Sequence, residues 1–286
     1  MLVFELTLQG LVQGAIYALI AVGLTLVYGL LRVLHVAHAG LFTLGGYLGL
    51  LVTNASGSLA LGLVIAMVVV GVAGMAVYRI AYQPILERPP YVALIASIGL
   101  YIVMEEGFRL IFGPFGFSFA APPLQGGVAV FGASLKQAEL VLMIGTVAVL
   151  LGLAVLAGRT RIGTAWRASV SDPQMAQSFG VDIVKIRYLN FLIGSALAAG
   201  AGVMVALLNN LIEPTMGAVP SYKALAIIVL GGLGDVRGTL IAALALGVIE
   251  AFGTVYLGQF LDRDAIAFAF LIAVLMVRPQ GLLGAR

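Results

Sequence analysis

The run LQGLVQGAIYALIAVGLTLVYGLL, residues 8–31, decides the fold class of this 286-residue chain. It holds no charged side chain, and it is longer than the roughly 20 apolar residues that a helix needs to cross a bilayer. The whole chain has the same character, since 62% of its residues are hydrophobic and 9% are charged, whereas about 25% of the residues of a soluble domain are charged. Most of the surface is therefore expected to face lipid.

Only α-helices and closed β-barrels span a bilayer, because lipid offers the backbone no hydrogen-bond partner. Unbroken apolar runs favour helices over the short alternating strands of a barrel. Eight candidate spans lie at 8–31, 36–52, 59–80, 91–112, 137–157, 188–208, 239–257 and 265–277. A ninth run, 222–230, is too short to cross alone and leads into GGLGDVRG at 231–238, where each glycine weakens a helix by about 1 kcal/mol relative to alanine. We predict an all-α, polytopic transmembrane helical bundle of about eight spans plus a broken half-helix.

Several classes of protein are excluded by what the sequence lacks. The spans leave no room for a soluble catalytic domain, and a net charge of +3 without a dense basic patch argues against nucleic-acid binding. The absence of cysteine excludes disulfides, thiol catalysis and iron–sulfur ligation. His35 and His38 are too few for a metal site and have no nearby carboxylate for catalysis, so we expect an interfacial role for both.

The charges of the loops predict the orientation in the membrane. If the loop at 161–187 is cytoplasmic, alternation places Arg109, Lys136, Lys223 and Arg263 outside and the other basic residues inside. This asymmetry follows the positive-inside rule. It puts the N-terminus outside, provided that the broken half-helix counts as one crossing.

Small residues recur at every fourth position within several spans. They are Gly10, Gly14 and Ala18; Gly45 and Gly49; Gly194, Ala198 and Gly202; and Ala243, Gly247 and Ala251. Such spacing lets helix backbones approach closely where lipid provides no hydrophobic driving force. Packing within the chain is the simpler interpretation, and a subunit interface is the alternative.

The loop RIGTAWRASVSDPQMAQSFGVDIVKIR at 161–187 carries helix signals in its central part. Asp172 is a predicted N-cap, Pro173 suits the first helical position, and Gly180 can turn left-handed after the last turn. Thr164 is a possible cap for a preceding helix. Because a short helix is unstable in water unless it packs on something, the pattern favours a docking element for another protein over a loop that only anchors the topology.

The same loop resembles the cytoplasmic coupling segment of permease subunits of the branched-chain amino acid ABC importers. The residues that carry the resemblance are Gly163, Ala165, Arg167, Ala168, Asp172, Pro173, Ala176, Gly180 and Val181. Similar stretches elsewhere are GLVQGAIYALIAVGLTLVYGLLRVLHVAHAG, YQPILERPPYVALIASIGL, YKALAIIVLGGLGDVRGTLIAALALGVIEAF and VRPQGLLG. The resemblance implies a single permease domain over residues 1–286, in which the loop at 158–187 transmits motion to an ATPase.

The resemblance also implies the partners. Two separate ATPase subunits would bind ATP and Mg, since this chain contains no G-x-x-x-x-G-K-[ST] phosphate loop and needs no cofactor of its own. A second permease subunit and an extracytoplasmic substrate-binding protein would complete the importer in the plasma (inner) membrane of a bacterium or archaeon. The substrate stays open between branched-chain or other hydrophobic amino acids and urea or short amides. A passive channel and a membrane-embedded enzyme are the other classes, and neither needs a capped cytoplasmic helix.

Pathway residues are expected around the broken half-helix. Carbonyls at its end need water, substrate or neighbouring side chains as partners, and broken helices in transporters place such groups at the substrate site. The candidates are Leu225, Ile228, Val229, Gly231, Gly232 and Glu250. Since intramembrane ionisable residues are functional by default, Glu250 either lines the path or binds a polar group of a neighbouring helix.

The loop at 209–223 is predicted to lie outside, where a binding protein can reach it. Asn209, Asn210 and Glu213 are the candidate contacts, and Glu213 is the only carboxylate of this loop. Further along the outer face, Glu105 and Arg109 are four residues apart and are expected to form an ion pair at the interface, which Glu106 also occupies.

Overall fold

The computed structural model describes residues 2–130 and 133–283, and in these ranges the chain is almost entirely helical. The α-helices are α1 Leu2–Leu31, α2 His38–Ser56, α3 Leu59–Val77, α4 Pro90–Phe112, α5 Gln137–Arg159, α6 Arg161–Ser171, α7 Pro173–Ser178, α8 Ile183–Asn209, α9 Ala218–Gly231, α10 Val236–Leu257 and α11 Arg263–Val277. A π-helical turn, Tyr78–Tyr82, and a 3-10 turn, Gln83–Ile85, extend α3. The strands β1 Gly127–Val130 and β2 Ala133–Lys136 form one antiparallel hairpin. The predicted all-α class is confirmed.

Each predicted span coincides with one helix, and the half-helix is α9. Six of the described helices are long and apolar enough to cross a membrane by length and composition, namely α1, α3 with its extension, α4, α5, α8 and α10. The other two candidate spans are α11, which has only 15 residues, and α2, which is less apolar. Three polar residues of α2, His38, Thr43 and Thr53, are buried in the bundle.

The bundle is built around α1 and α8. Of the 30 residues of α1, 18 are buried, whereas α5 buries 3 of its 23. Helices α2, α3, α9 and α10 pack against these two central helices, and α4 lies further out. The apolar side chains that α4 and α5 expose, including Leu110, Ile111 and Ile144, form the surface expected to contact lipid.

Small residues bring the helices into direct backbone contact. A Cβ atom added to Gly10 of α1 would lie 2.6 Å from the Cα of Val248 in α10, and one on Gly14 would lie 2.9 Å from the Cα of Leu244. Gly45 of α2 meets Ala199 of α8 in the same way. Close packing within the chain is therefore confirmed for these positions.

The helix directions define two opposite ends of the molecule. From Gln137, next to the hairpin, α5 runs 23 residues to Arg159, and α6 and α7 follow. From Ile183, after α7, α8 runs 27 residues back to Asn209. At 1.5 Å per residue these helices are about 35 and 40 Å long. The hairpin end and the α6–α7 end are therefore separated by the full thickness of the bundle.

Candidate functional site

A cavity with a volume of about 720 Å³ opens at the hairpin end. It is bounded by the first turns of α1, α5, α9 and α11 and by the last turns of α8 and α10. Its polar lining residues are Gln9, Gln13, Tyr17, Lys136, Glu139, Asn209, Glu213, Thr254 and Arg263, and its apolar ones include Leu6, Val12, Ile16, Val205, Met216, Val219 and Val255. Both charge signs and a branched apolar wall are thus present in one space of small-ligand size.

A buried ionic cluster lies against this cavity and joins four helices. Lys223 of α9 and Glu250 of α10 form a salt bridge of 2.8 Å, and their side chains are 4% and 0% exposed. Lys223 Nζ also lies 2.9 Å from Asp264 Oδ1 of α11. Arg263 Nε donates to Glu250 Oε2 over 2.8 Å. Tyr17 Oη of α1 donates to the same oxygen over 2.7 Å and accepts from Lys223 over 3.1 Å.

The cluster is balanced in charge, and each of its charged groups has a partner of opposite charge. Two cations, Lys223 and Arg263, face two carboxylates, Glu250 and Asp264, and the hydroxyl of Tyr222 donates to Asp264. An unpaired charge would be very costly at this depth, so each partner stabilises the ionised form of the others. The arrangement holds the half-helix α9 to α1, α10 and α11.

The cluster decides between the two interpretations of Glu250 and corrects the predicted position of Lys223. Glu250 binds the polar groups of neighbouring helices and is not among the residues that line the cavity. Lys223 does not lie in an outer loop, because α9 already begins at Ala218 and carries its side chain into the interior. Tyr17, Tyr222 and Asp264 were missed from the sequence. The sequence signal that could have revealed the cluster is Lys223, an ionisable residue at the sixth position of an otherwise apolar helix.

The end of the half-helix α9 is closed by the chain itself. Leu282 N donates to Leu230 O over 2.7 Å, and Leu283 N donates to Gly231 O over 3.3 Å. The predicted partners of the carbonyls at this end were water, substrate or neighbouring side chains, and for Leu230 and Gly231 the structure shows backbone N–H groups instead. The C-terminal segment lies against the end of α9. Gly281, with φ 85°, permits its close approach to Gly232.

Apart from Glu250 on α10, the predicted pathway residues lie along α9 and at its end, and none of them lines the cavity. Ile228, Gly231 and Gly232 are buried, and Leu225 and Val229 are half-buried within the main apolar core. Gly231 packs on the backbone of Gly238 at the start of α10. Their role in a pathway stays a prediction, and their observed contacts are those of a packed helix joint.

The predicted binding-protein contacts lie at the hairpin end. Asn209 and Glu213 line the cavity. Asn210 ends α8 in the left-handed conformation, with φ 48°, and its Oδ1 accepts from Phe119 N over 3.1 Å. Phe117 and Ile212 form a backbone bridge of two 2.8 Å hydrogen bonds between the neighbouring loops. The rim of the cavity is thus a folded surface.

At the opposite end, the loop between α5 and α8 is folded into α6 and α7. Asp172 Oδ1 accepts from Met175 N over 2.9 Å, Pro173 is the first residue of α7, and Gly180 follows the helix with φ 85°. These three predicted helix signals are confirmed. The cap of α6 is Thr160, which accepts from Gly163 N over 3.0 Å, and the prediction of Thr164 as that cap is wrong.

The other predicted coupling residues lie on α6 and α7. Gly163 packs against the carbonyls of the last turn of α5, and Ala176 is buried. Arg167 extends from the exposed face of α6, and Ala165 lies on the same short helix. The segment between the spans is slightly shorter than the predicted 158–187, because α5 ends at Arg159 and α8 begins at Ile183.

Helix α8 has its own cap at this end. Asp182 Oδ1 accepts from Lys185 N over 3.1 Å. This backbone hydrogen bond, together with the Lys185 side chain, lowers the pKa of the Asp182 carboxyl below its ordinary value. The turn between α7 and α8 is therefore flanked by the left-handed Gly180 on one side and by the Asp182 cap on the other.

The remaining predicted polar residues fall into two groups. Arg109 pairs with Glu105 at 2.8 Å, which confirms the predicted ion pair, and it also pairs with Glu106 at 2.7 Å. His35 and His38 are both buried, with ring centroids 5.6 Å apart, and His35 Nδ1 lies 2.6 Å from Tyr82 Oη. His38 lies beside α1 and His35 beside the π-helical turn, and their interfacial role stays a prediction.

A bundle of membrane-length helices that encloses a polar cavity at one end and carries a folded helical segment at the other has the architecture of a membrane transport protein. The profile of the family described as "Branched-chain amino acid transport system / permease component" matches residues 6–277. The chain therefore belongs to this family of transport permeases.

Individual relatives agree with this assignment. The high-affinity branched-chain amino acid transport system permease protein LivH of Salmonella typhimurium is 33% identical, and the match covers 96% of this chain and 94% of that protein. The corresponding protein BraD of Pseudomonas aeruginosa gives the same identity and coverage. A probable branched-chain amino acid transport permease of Methanocaldococcus jannaschii is 27% identical over 98% of this chain and 92% of its own. The solved PsaBC from Streptococcus pneumoniae in complex with Fab aligns over 98% of this chain and 91% of that chain at 13% identity, and at a TM-score of 0.44 it carries no argument.

Proposed function

We propose that this chain is the transmembrane permease subunit of an ATP-driven importer for branched-chain or other hydrophobic amino acids in a bacterial or archaeal plasma membrane. Family membership supports the class of substrate. The observation that carries the proposal is the separation of the two sites, with the polar cavity at the hairpin end and the capped α6–α7 segment at the other.

The α6–α7 segment is proposed as the contact with two ATPase subunits. Its helices are too short to be stable alone, and they are capped by Thr160 and Asp172 and packed on α5 and α8. Exposed Met175 and Phe179 give α7 an apolar surface at this end of the molecule. A rigid, partly apolar helix of this kind suits a docking site that transmits motion, and ATP and Mg would be bound by the partner subunits.

The cavity is proposed as the entry for substrate delivered by an extracytoplasmic binding protein. With α6–α7 in the cytoplasm, the hairpin end lies outside. Glu139, Glu213, Lys136 and Arg263 offer charges to a zwitterion, and the apolar wall offers contacts to a branched side chain. A second permease subunit would complete the passage through the bilayer.

The coupling assignment is tested by the double substitution Asp172→Ala with Gly180→Val in the reconstituted importer. Losing the cap costs about 1 kcal/mol, and a β-branched residue is strained at a φ of 85°. We expect stimulation of ATP hydrolysis by loaded binding protein, and leucine uptake, to fall while the complex still assembles. Ser58→Ala is the matched control, because Ser58 caps α3 at the hairpin end.

A cysteine introduced at Gln174 gives an independent measurement, because the chain contains no other cysteine. It is expected to cross-link to an ATPase subunit. Unchanged stimulation in the double variant, together with no cross-link, would refute the coupling assignment. Uptake of urea or short amides in place of leucine by the unmodified importer would replace the proposed substrate.

A further inference from the structure

The ionic cluster is a chain of alternating charges that ends at the cavity. In order, its members are Asp264, Lys223, Glu250 and Arg263, linked by contacts of 2.9, 2.8 and 2.8 Å. The negative end, Asp264, is held by Lys223 and Tyr222. The positive end, Arg263, lies on the cavity wall. The next group in this alternation would be an anion inside the cavity.

The guanidinium of Arg263 is held in place but only partly used. Its Nε donates to Glu250, whose side chain is fully buried, whereas the side chain of Arg263 itself is 44% exposed. Within residues 2–130 and 133–283 its two Nη atoms have no hydrogen-bond partner. A planar guanidinium presents its remaining donors in a fixed fork that matches the two oxygens of a carboxylate. The contact with Glu250 thus pre-orients Arg263 for such a ligand.

Lys136, Tyr17 and Glu213 also line the cavity, but none of them is a positive group held in a fixed orientation with unused donors. Lys136 lines the cavity but forms no salt bridge with any described residue, so nothing fixes the direction of its ammonium group. Tyr17 already uses its hydroxyl hydrogen on Glu250, so it offers the cavity its ring rather than a donor. Glu213 carries the opposite charge and is available for an ammonium group.

We propose that Arg263 binds the free α-carboxylate of a zwitterionic amino acid in the cavity, with Glu250 as the residue that positions it. The proposal rests on the function proposed above and adds a residue that selects for the carboxylate. The amide of the same amino acid keeps the side chain and the ammonium group, but its uncharged carboxamide offers Arg263 no anion. The site therefore favours amino acids over amides and urea.

The test compares leucine with leucinamide as probes, using the full importer complex in lipid nanodiscs without its binding protein. Calorimetric titration measures the affinity of the unmodified complex and of three variants. We expect the unmodified complex to prefer leucine by at least about tenfold, since a hydrogen bond between charged groups contributes that much. Arg263→Gln is expected to abolish the preference, and Arg263→Lys to retain part of it. Arg109→Gln is the matched control, because Arg109 is similarly exposed and also pairs with a glutamate but does not line the cavity, and it is expected to keep the full preference.

Arg263→Lys also guards against a failure of folding, because a lysine retains a positive partner for Glu250. Equal affinity for the two probes in the unmodified complex, no binding of either probe, or a full leucine preference in Arg263→Gln would each overturn the site. Leucine uptake by the unmodified importer is measured in parallel. If uptake is absent but the preference for leucine depends on Arg263, the proposed function fails and the carboxylate site stands.

Discussion

The salt bridge between Lys223 and Glu250 offers a direct test of how much burial decides the strength of an ion pair in this protein. It has the same N···O distance, 2.8 Å, as the pair between Arg109 and Glu105. The side chains of the first pair are 4% and 0% exposed, and those of the second are 41% and 17% exposed. Glu250→Gln and Glu105→Gln therefore remove ion pairs that have the same N···O distance but differ in burial.

The expected cost follows from the partners that remain. Removing one member of a buried pair costs about 3–5 kcal/mol, because the other charge is left uncompensated. In Glu250→Gln, Lys223 still contacts Asp264 at 2.9 Å, so we expect the lower end, about 3 kcal/mol. The surface pair contributes under about 1 kcal/mol, since solvent screens it and Arg109 keeps Glu106 as a second partner.

A double-mutant cycle separates the pair from its surroundings. Lys223→Met alone is expected to cost about as much as Glu250→Gln, because Glu250 would retain Arg263 and Tyr17. The double variant removes both charges together, and its cost is expected to fall short of the sum by about 2–3 kcal/mol. Since about 1 kcal/mol shifts the Tm of a domain of 150–250 residues by about 2–4 °C, a cost of about 3 kcal/mol is expected to lower Tm by roughly 6–12 °C for each single buried change.

The assay is thermal denaturation of the complex in nanodiscs, followed by size-exclusion recovery of the folded protein. Two results would refute the reasoning. One is a Tm for Glu250→Gln no lower than that for Glu105→Gln. The other is a double variant whose cost equals the sum of the two single costs within about 0.5 kcal/mol, which is the behaviour of independent sites.

Three further predictions concern packing, the C-terminal segment and the outer rim. Gly247→Ala is expected to lower stability by about 1–3 kcal/mol, because the added Cβ would meet the backbone of α1, whereas Gly145→Ala, with nothing within 4 Å, is expected to be neutral or stabilising in the same Tm measurement. Gly281→Ala is expected to expose the C-terminus to carboxypeptidase, because its φ is 85° and its Cβ would lie 2.7 Å from Gly232 N; cleavage at the unmodified rate would show that this segment does not close α9. Glu213→Lys is expected to reduce uptake more at low salt than at high salt, since a rim charge acts mainly on association, and equal uptake at both ionic strengths would remove Glu213 from the docking surface.

The helices and the cap of α7 could be predicted from the sequence because they depend on local properties. A run of apolar residues long enough to cross lipid is visible within the run itself. Asp172, Pro173 and Gly180 each act on backbone groups a few residues away, and the structure has all three as predicted. The prediction of Thr164 as the cap of α6 was wrong by one turn, since Thr160 is the cap and a threonine at either position can serve as one.

The cavity and its ionic cluster were decided only by the tertiary structure. Glu250 and Tyr17 are 233 positions apart, and Lys223 and Tyr17 are 206 apart, so no local pattern connects them. Water, substrate or neighbouring side chains were the predicted partners of the carbonyls at the end of α9, yet backbone N–H groups of the C-terminal segment, about 50 residues later in the chain, donate to two of them. In water, an apolar stripe shows which face of a helix is buried, but in lipid the exposed faces are as apolar as the buried ones. Helices α1 and α5 are both apolar along their length, and only the packed structure shows that α1 is central and α5 peripheral.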